Sequence, residues 1–245
     1  MARLGLVALF VGLLGFPVTE QRMVGLLVGM GAYRELRYWV ALSGPGDARN
    51  LREVLVDRFG ARPEDLEVLP SEQATRDDIL AALERLHDRA RPGNVALFYY
   101  SGHGCSVPDR EPLDESDGRD ECLVPVDAPG PRSQRFSEAV IRDDELSEWL
   151  ARTAGRVGST GEVVMIFDSC HSGTMHRAGR LLPRTLPDPD SSGDNRPLDP
   201  LPPRTVVLSA CSDGELAWED PDRGGGAFTG SLLGLLRAPD LDESW

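Results

Sequence analysis

Short apolar runs that alternate with amphipathic stretches constrain the fold of this chain more than any other feature of its sequence. The apolar runs have the length and composition of buried strands, and they lie at residues 23–30, 66–69, 94–100, 162–167 and 204–211. The amphipathic stretches have apolar residues at helical spacing, and they lie at residues 46–60, 75–90, 142–153 and 226–236. This alternation predicts an α/β fold with a mainly parallel sheet and helices on both faces.

Two of the predicted helices carry boundary signals. Thr75 stands at the start of the second predicted helix, and Asp78 lies three residues after Thr75. This spacing resembles a capping box and makes Thr75 the predicted N-cap. Gly60 follows the first helix and is a stop signal.

Composition and net charge argue against some classes of function. The chain has 245 residues, enough for one α/β domain, and a net charge of −14. It contains no Lys and no basic cluster, so nucleic acid is not a predicted partner. The acidic balance suits cationic partners or simply a solvated surface. Its four cysteines lie far apart in sequence, which argues against a disulfide framework.

A Pro-rich stretch at residues 183–203 divides the chain. It holds seven Pro together with Ser, Asp and Gly, a composition that cannot bury a core. We therefore expect a flexible loop between a large part, residues 21–182, and a small part, residues 204–245. Residues 1–20 form a separate apolar segment.

The sequence of the N-terminal segment is compatible with several roles. Its 13-residue apolar run, residues 4–16, is short for a membrane-spanning helix. The apolar region of a signal peptide, a buried strand and a start-site artefact are the alternatives. We predict a cytoplasmic protein without membrane contact, with secretion or anchoring through residues 1–20 as the alternative.

Two of the predicted strands end in reactive side chains. The run "ALFYYSGHG" delivers His103 between two glycines, and "VVMIFDSCHSG" delivers Cys170. Ligands of parallel sheets bind beyond the carboxyl ends of the strands. If the two strands are neighbours, both side chains lie at one edge of the sheet.

A cysteine beside a histidine at such an edge suits nucleophilic catalysis. An imidazole can take the proton of a thiol and later protonate a leaving amine. The backbone amides of Gly104 and Cys170 are candidate donors to a developing oxyanion. His171 is a rival base, but neighbours on a turn seldom face each other, so we favour His103.

These residues also have interpretations other than catalysis. A lone cysteine at a strand end is usually a small buried hydrophobe. A zinc site built from Cys105, Cys170, His103 and His171 is conceivable, although the spacing matches no common zinc pattern. His87 and His176 look structural or exposed.

The motifs "YSGHG" and "DSCHSG" resemble the histidine and cysteine motifs of the caspase-like cysteine peptidases, clan CD, and most closely the metacaspases and their bacterial relatives. Further stretches resemble the same family: "LLVGMGAY", "GDARNL", "DGRDECLVPVD", "IRDDEL", "LSACSDGELAWE" and "GAFTGSLL". The resemblance implies a caspase-like three-layer sandwich. The family usually continues with a further helix and strand after the last of these motifs, so it also implies that the small part is incomplete.

The same resemblance implies a function. His103 and Cys170 would form a dyad that cleaves peptide bonds through a thioester acyl-enzyme. Asp168, Asp47 and Ser101 match residues of the family's specificity pocket, and carboxylates there favour substrates with Arg or Lys before the cut bond. Protein or peptide substrates are the implied partners, and the implied state is a monomer.

Two regulatory properties follow from the resemblance as expectations. The chemistry needs no cofactor, but calcium is a candidate activator, because Asp120, Asp143 and Asp144 match acids of a calcium site. The fourth acid of that site falls on Arg177. The Pro-rich loop lies where the family often cuts itself, and this makes the chain a candidate zymogen. The basic positions that this self-cleavage could use are Arg177, Arg180, Arg184, Arg196 and Arg204.

Two other functions compete with an Arg-directed peptidase. One is a caspase-like peptidase of another specificity. The other is a non-catalytic scaffold that keeps the fold for partner binding, although a scaffold would not require both His103 and Cys170.

Overall fold

The computed structural model of the chain describes residues 21–110, 118–169, 182–183, 201–211, 217–220 and 224–238. Its strands are β1 (Met23–Gly29), β2 (Leu66–Leu69), β3 (Val95–Ser101), β4 (Gly104–Pro108), β5 (Arg119–Leu123), β6 (Ile141–Arg142), β7 (Glu162–Asp168), β8 (Leu182–Pro183), β9 (Thr205–Ser209), β10 (Trp218–Asp220) and β11 (Gly225–Gly226). Its helices are α1 (Gly44–Phe59), α2 (Arg76–Arg89), α3 (Phe136–Ala139), α4 (Asp143–Val157) and α5 (Ala227–Arg237). Short 3₁₀ turns lie at Pro63–Asp65, Ser71–Gln73 and Gly158–Thr160.

Five strands form one parallel sheet in the order β2-β1-β3-β7-β9. Strand β3 lies at its centre, and its last residue, Ser101, is in register with Gly29 of β1 and with Asp168 of β7. The predicted parallel sheet is confirmed. The two strands whose ends carry the reactive motifs are direct neighbours, so whatever follows them lies at the same edge of the sheet.

Side chains of the central strands alternate between two apolar cores. Leu97 and Tyr99 of β3 pack with apolar residues of α1 and α5, whereas Phe98 and Tyr100 pack with those of α2 and α4. This is the period-two pattern of a strand covered on both faces. Each side chain of this size that is fully buried contributes about 1.5–3 kcal/mol of transfer free energy. The predicted three-layer α/β sandwich is therefore confirmed.

The predicted helix boundaries also appear in the structure. The Thr75 hydroxyl accepts a hydrogen bond from the backbone N–H of Asp78 at 3.2 Å, which caps the start of α2. Gly60 ends α1 with φ at 70°, a left-handed conformation that favours glycine.

Two small antiparallel sheets, which the apolar pattern did not predict, lie beside the main sheet. Their strand orders are β4-β5-β6 and β11-β10-β8. Their strands are two to five residues long, too short to carry a clear alternation of apolar and polar residues. Strand β4 begins directly after His103, so the first of these sheets extends from the predicted site.

The division of the chain at its ends and in its Pro-rich stretch stays a prediction. Residues 1–20 and 184–200 lie outside the described residues, and so do the side chains of 182–183. Strand β9 and helix α5, from the predicted small part, pack on the same sheet and core as the large part. Across the part of the chain that the structure describes, no helix has the length and apolarity to cross a membrane.

Candidate active site

The ends of β3 and β7 place several predicted site residues side by side. Ser101 ends β3, Asp168 ends β7, and the two are in register. The N–H of Gly102 donates to the Asp168 carbonyl at 3.2 Å, which fixes the backbone just before His103. Cys170 lies two residues after Asp168, outside the described residues.

His103 sits in a buried aromatic pocket formed by the segment between β1 and α1. Its residue surface is 2% exposed, and its ring centroid lies 5.1 Å from that of Tyr33 and 5.6 Å from that of Trp39. The His103 backbone N–H donates to the Tyr33 hydroxyl at 2.9 Å. These contacts fix both the backbone and the plane of the imidazole.

The ring nitrogen Nε2 of His103 lies 2.9 Å from the carbonyl oxygen of Val40. A carbonyl can only accept, so Nε2 must carry the proton in this contact. In the neutral imidazole, Nδ1 is then the nitrogen with the lone pair that can accept a proton. The Val40 carbonyl thus selects the tautomer and leaves Nδ1 as the basic atom of the site.

Gly104, the predicted oxyanion donor, is the first residue of β4. It is buried and stands opposite Leu123 in the small sheet. The carbonyl of His103, one residue earlier, accepts hydrogen bonds from the Tyr100 hydroxyl at 2.8 Å and from the Val124 N–H at 3.1 Å. The role of the Gly104 amide stays a prediction.

Asp47, from the first turn of α1, is bound to the end of β3. Its residue surface is 3% exposed, and its carboxylate accepts from the Ser101 hydroxyl at 2.9 Å and from the Gly226 N–H at 3.1 Å. The N-cap of α1 is Ser43, not Asp47. A Cβ atom on Gly225 would lie 2.4 Å from the Asp47 carboxylate, so the chain approaches this acid as closely as a glycine allows.

Asp168 is held by the beginning of α5. It is fully buried, and one carboxylate oxygen accepts from the Thr229 hydroxyl at 2.6 Å and from the Thr229 N–H at 3.0 Å. The Tyr99 hydroxyl lies 2.7 Å from the Thr229 hydroxyl. Burial raises the pKa of Tyr99 well above its ordinary value, and the charges of Asp47 and Asp168 raise it further.

The two carboxylates of Asp47 and Asp168 therefore form one region of negative charge beside the start of α5. Gly226 is the N-cap of that helix and Thr229 lies in its first turn, so backbone N–H groups of the helix start bind both acids. A helix N-terminus stabilises negative charge. The arrangement keeps two carboxylates at the sheet edge where His103 also lies.

Several residues that shape this site were not predicted from the sequence. They hold predicted residues in place, and they are Tyr33, Trp39, Val40, Gly226 and Thr229. The sequence contains a signal for Thr229, because it is one of the few polar residues in a mostly apolar helix. The sequence contains no signal for the role of the Val40 carbonyl, because a backbone oxygen has no sequence signature.

The acids predicted to bind calcium lie on and beside the small sheet β4-β5-β6. Asp120 of β5 is buried and is bound by the guanidinium of Arg142. Asp143 and Asp144 begin α4, where the Asp143 carboxylate accepts from the Asp144 N–H at 3.1 Å. Among the described residues, no three His, Cys, Asp or Glu side chains converge as metal ligands do. As arranged, this set does not fit calcium, and calcium activation stays a prediction.

The zinc alternative gains no support from the described part of the chain. Cys105 stands directly opposite Cys122 across β4 and β5, and both are free buried thiols. A hydrogen bond with Cys105, together with burial, raises the pKa of Cys122. His171 and His176 lie outside the described residues, and His87 has a structural contact, a 3.0 Å hydrogen bond between its Nδ1 and the Thr153 hydroxyl.

Comparison with known proteins places these features in a family. The sequence model of the caspase domain, Peptidase_C14, matches residues 22–244. Metacaspase-1 of Cryptococcus neoformans var. neoformans serotype D is 36% identical over 135 residues, which cover 52% of this chain and 27% of that protein. Metacaspase-1 of Pyricularia oryzae is 35% identical over 158 residues, which cover 61% of this chain and 36% of that protein.

The chain thus spans only about a third of the length of these curated relatives. A crystal structure of a protein from Geobacter sulfurreducens shares the fold, with a TM-score of 0.60 and 22% identity over 87% of this chain and 81% of that one. Because the caspase domain model matches nearly the whole sequence, and a five-stranded parallel sheet with helices on both faces accompanies that match, this chain belongs to the caspase domain family, peptidase family C14, and is similar to the metacaspases.

Proposed function

We propose that this chain is a cysteine endopeptidase that hydrolyses peptide bonds after Arg or Lys. The observation that carries the proposal is the pair of buried carboxylates, Asp47 and Asp168, at the sheet edge where the imidazole of His103 also lies. Family membership supports the peptidase chemistry, and the carboxylates support the specificity.

The proposed chemistry begins with Cys170. Its sulfur attacks the carbonyl carbon of the scissile bond, and its proton passes to Nδ1 of His103, the basic nitrogen of the tautomer that Val40 selects. The carbonyl π electrons move to oxygen, where the amides of Gly104 and Cys170 are the proposed donors. When the intermediate collapses, the C–N bond breaks and His103 gives its proton to the amine.

The second half of the cycle regenerates the enzyme. His103 takes a proton from a water molecule, whose oxygen attacks the thioester carbonyl carbon. The C–S bond then breaks, the carboxylic acid leaves, and the sulfur recovers its proton. Every bond change is balanced by these groups and one water, so we propose that the chemistry needs no cofactor. The resemblance implies calcium as an activator, but the contact of Asp120 with Arg142 weighs against it.

The proposed specificity rests on charge. A guanidinium can bind two carboxylates through charge-assisted, fork-shaped hydrogen bonds. Each carboxylate has about four lone-pair sites, so Asp168 can bind Thr229 and still accept from a ligand. A substrate with Asp before the cut bond would instead meet like charge. Lys carries the same charge as a compact ammonium on a flexible four-carbon stem and is the second proposed substrate residue.

We also propose self-cleavage at the Pro-rich loop, after one of the basic residues in it or beside it. Four of the predicted positions, Arg177, Arg180, Arg184 and Arg196, lie outside the described residues. Arg204 is an unsuitable one, because its guanidinium donates to the Glu162 carboxylate and to the Gly161 carbonyl, each at 2.7 Å, and its side chain is only 10% exposed.

Intact-mass spectrometry of the purified chain beside a Cys170→Ala variant tests self-cleavage. The wild-type protein is expected to split into two fragments whose junction lies after an Arg between residues 177 and 196, and the variant is expected to stay whole. Identical masses in both preparations would end this part of the proposal.

A peptidase assay tests the main proposal. Wild-type protein is expected to turn over a fluorogenic peptide that ends in Arg, whereas Cys170→Ala and His103→Ala are expected to lose this activity. Turnover of an Asp peptide alone would identify a caspase-like peptidase of another specificity. Absence of turnover, together with no labelling of Cys170 by a thiol-reactive inhibitor, would identify a scaffold. A monomeric state, a cytoplasmic location and the absence of nucleic-acid partners stay predictions.

A further inference from the structure

The guanidinium of Arg142 lies inside a cage of oxygen atoms. It donates to the carboxylate of Asp120, to the Pro108 carbonyl at 3.1 Å and to the Ser137 hydroxyl and carbonyl at 2.7 and 3.3 Å. The side chains of Arg142 and Asp120 are 5% and 2% exposed. Carboxylate and carbonyl oxygens are also the ligands that calcium takes in proteins.

This cage belongs to the small sheet that begins at the active site. Arg142 ends β6, Asp120 lies on β5, Pro108 ends β4 and Ser137 lies on α3. One buried cation therefore joins four elements of the chain. Because removing one partner of a buried ion pair leaves an uncompensated charge, the pair matters for the stability of this whole region.

The guanidinium of Arg142 is positively charged because of its own chemistry, not because of its surroundings. Burial lowers the pKa of Arg142 and nearby Arg110 lowers it further, whereas the carboxylates of Glu145, Asp143 and Asp144 raise it. An arginine side chain stays protonated at neutral pH under such opposing influences. The acids that begin α4 thus act on a cation that the chain itself supplies.

We propose that Arg142 is a resident cation: its guanidinium fills the place beside Asp120 that a calcium ion would otherwise take, and it makes the chain independent of calcium. The departure at Arg177, where a fourth acid would be expected from the resemblance, agrees with this proposal. A positive charge at a position that should supply a ligand carboxylate would repel a divalent cation rather than bind it.

The resident cation also supports the geometry of His103. Residue Val124, directly after β5, donates its N–H to the His103 carbonyl at 3.1 Å. The Arg142–Asp120 pair fixes β5 against β4 and β6, so it holds the strand that supports this contact. A metal-bound form of the site would serve the same purpose, and here a side chain does so permanently.

Calcium binding by the wild-type chain is the first test. Isothermal titration with calcium chloride is expected to give no saturable heat, and melting curves with and without calcium are expected to coincide. Magnesium chloride at the same concentration serves as the control for ionic strength. Saturable binding with a calcium-specific rise in Tm would overturn the proposal, and this measurement needs no variant to fold.

An Arg142→Gln variant provides the second test. It is expected to lower Tm by roughly 10 °C, because a buried charge loses its partner. It is also expected to gain a calcium response, in which calcium restores several degrees and magnesium restores none. Arg204→Gln is the matched control, because it breaks another buried ion pair, the one between Arg204 and Glu162. That pair does not involve Asp120, Asp143 or Asp144.

The two variants separate a resident cation from an ordinary ion pair. Calcium rescue of Arg142→Gln but not of Arg204→Gln supports the proposal. Equal loss of stability in both, with no calcium response in either, would show that Arg142 is only a structural partner and would contradict it.

The statement about activity rests on the proposed peptidase function, whereas the statement about binding does not. If the enzyme is active, its rate is expected to be the same in calcium and in a chelator. If the chain cleaves no peptide, the proposed function fails, and the titration and melting curves still decide the role of Arg142.

Discussion

At the scale of single residues, the site depends on how His103 is oriented. Its Nε2 contacts the Val40 carbonyl, its backbone N–H contacts the Tyr33 hydroxyl, and its ring packs against two aromatic rings. While Nε2 is engaged by the Val40 carbonyl, the ring can accept the proton of a thiol only at Nδ1. Groups that never touch a substrate therefore determine which nitrogen acts as the base.

Substitution of Tyr33 by Phe tests this orientation. The change removes the acceptor of a buried backbone N–H and keeps the ring, so we expect a loss of about 1–3 kcal/mol in the free energy of unfolding. We also expect kcat to fall more than KM changes, because the imidazole loses its fixed position. Tyr38→Phe, in the same segment, is the control and is expected to leave both nearly unchanged.

The charge of Asp47 is open to a sharper test. Asn at this position keeps an oxygen that can accept from Ser101 and from the Gly226 N–H, so the fold should persist. We expect the preference for an Arg peptide over the same peptide with neutral citrulline to fall by about 10- to 100-fold, the value of one charge-assisted contact.

Measured kcat/KM values for the two peptides provide this ratio. Asp65→Asn is the control, because it removes another buried carboxylate, which pairs with Arg22 and Arg89. An unchanged ratio in Asp47→Asn would show that this acid does not face the substrate.

At the scale of elements, long apolar runs were predictable and short strands were not. Strands β1, β3 and β7 consist of consecutive buried residues, and such runs are typical of parallel strands covered on both faces. Strands β6 and β11 have two residues each, and only pairing with a distant segment defines them. No local sequence pattern could predict that pairing.

Asp65 connects elements and predicts a pH dependence. It ends a 3₁₀ turn, and its carboxylate accepts from Arg22 just before β1 at 2.7 and 2.5 Å. The hydrogen bonds of Arg22 hold the pKa of Asp65 below its ordinary value, although burial opposes them. A folded-state pKa below the unfolded one contributes stability above the unfolded pKa, and this contribution is lost as pH falls.

We therefore expect wild type to exceed Asp65→Asn in Tm at neutral pH and the difference to shrink as pH falls below the ordinary Asp pKa of about 4. Thermal melts from neutral pH to below this pKa measure it. Asp57→Asn, at an exposed position of α1, is the control for loss of one charge. A difference between wild type and Asp65→Asn that is undiminished at the lowest pH would contradict the linkage.

At the scale of the whole molecule, the predicted sandwich and the predicted pocket residues come from one arrangement. The parallel sheet brings Ser101 and Asp168 into register, and α1 and α5 on one face supply Asp47 and Thr229. Sequence patterns indicated the strand ends, so the edge of the sheet that carries the site was predictable. The contacts of Thr229 and Val40 were not, because they join residues more than sixty positions apart.

The acids on and beside β5 show the same difference between what the sequence predicted and what the fold contains. Resemblance marked Asp120, Asp143 and Asp144 as metal ligands, but it carried no information about Arg142, which lies next to them in sequence. Only the fold shows that the guanidinium of Arg142 turns towards Asp120. A charge of the chain itself, rather than a missing acid alone, changes what this region can bind.

The decisive experiment measures kcat/KM for two peptides that differ only in the residue before the cut bond, Arg in one and Asp in the other. We expect the wild-type chain to prefer the Arg peptide by at least about 10²-fold, because an Asp side chain is repelled by the pocket carboxylates and leaves them without a partner. We also expect Cys170→Ala to cleave neither peptide. Equal rates, or a preference for Asp, would contradict the central claim that Asp47 and Asp168 select the substrate for the imidazole of His103 and the thiol of Cys170.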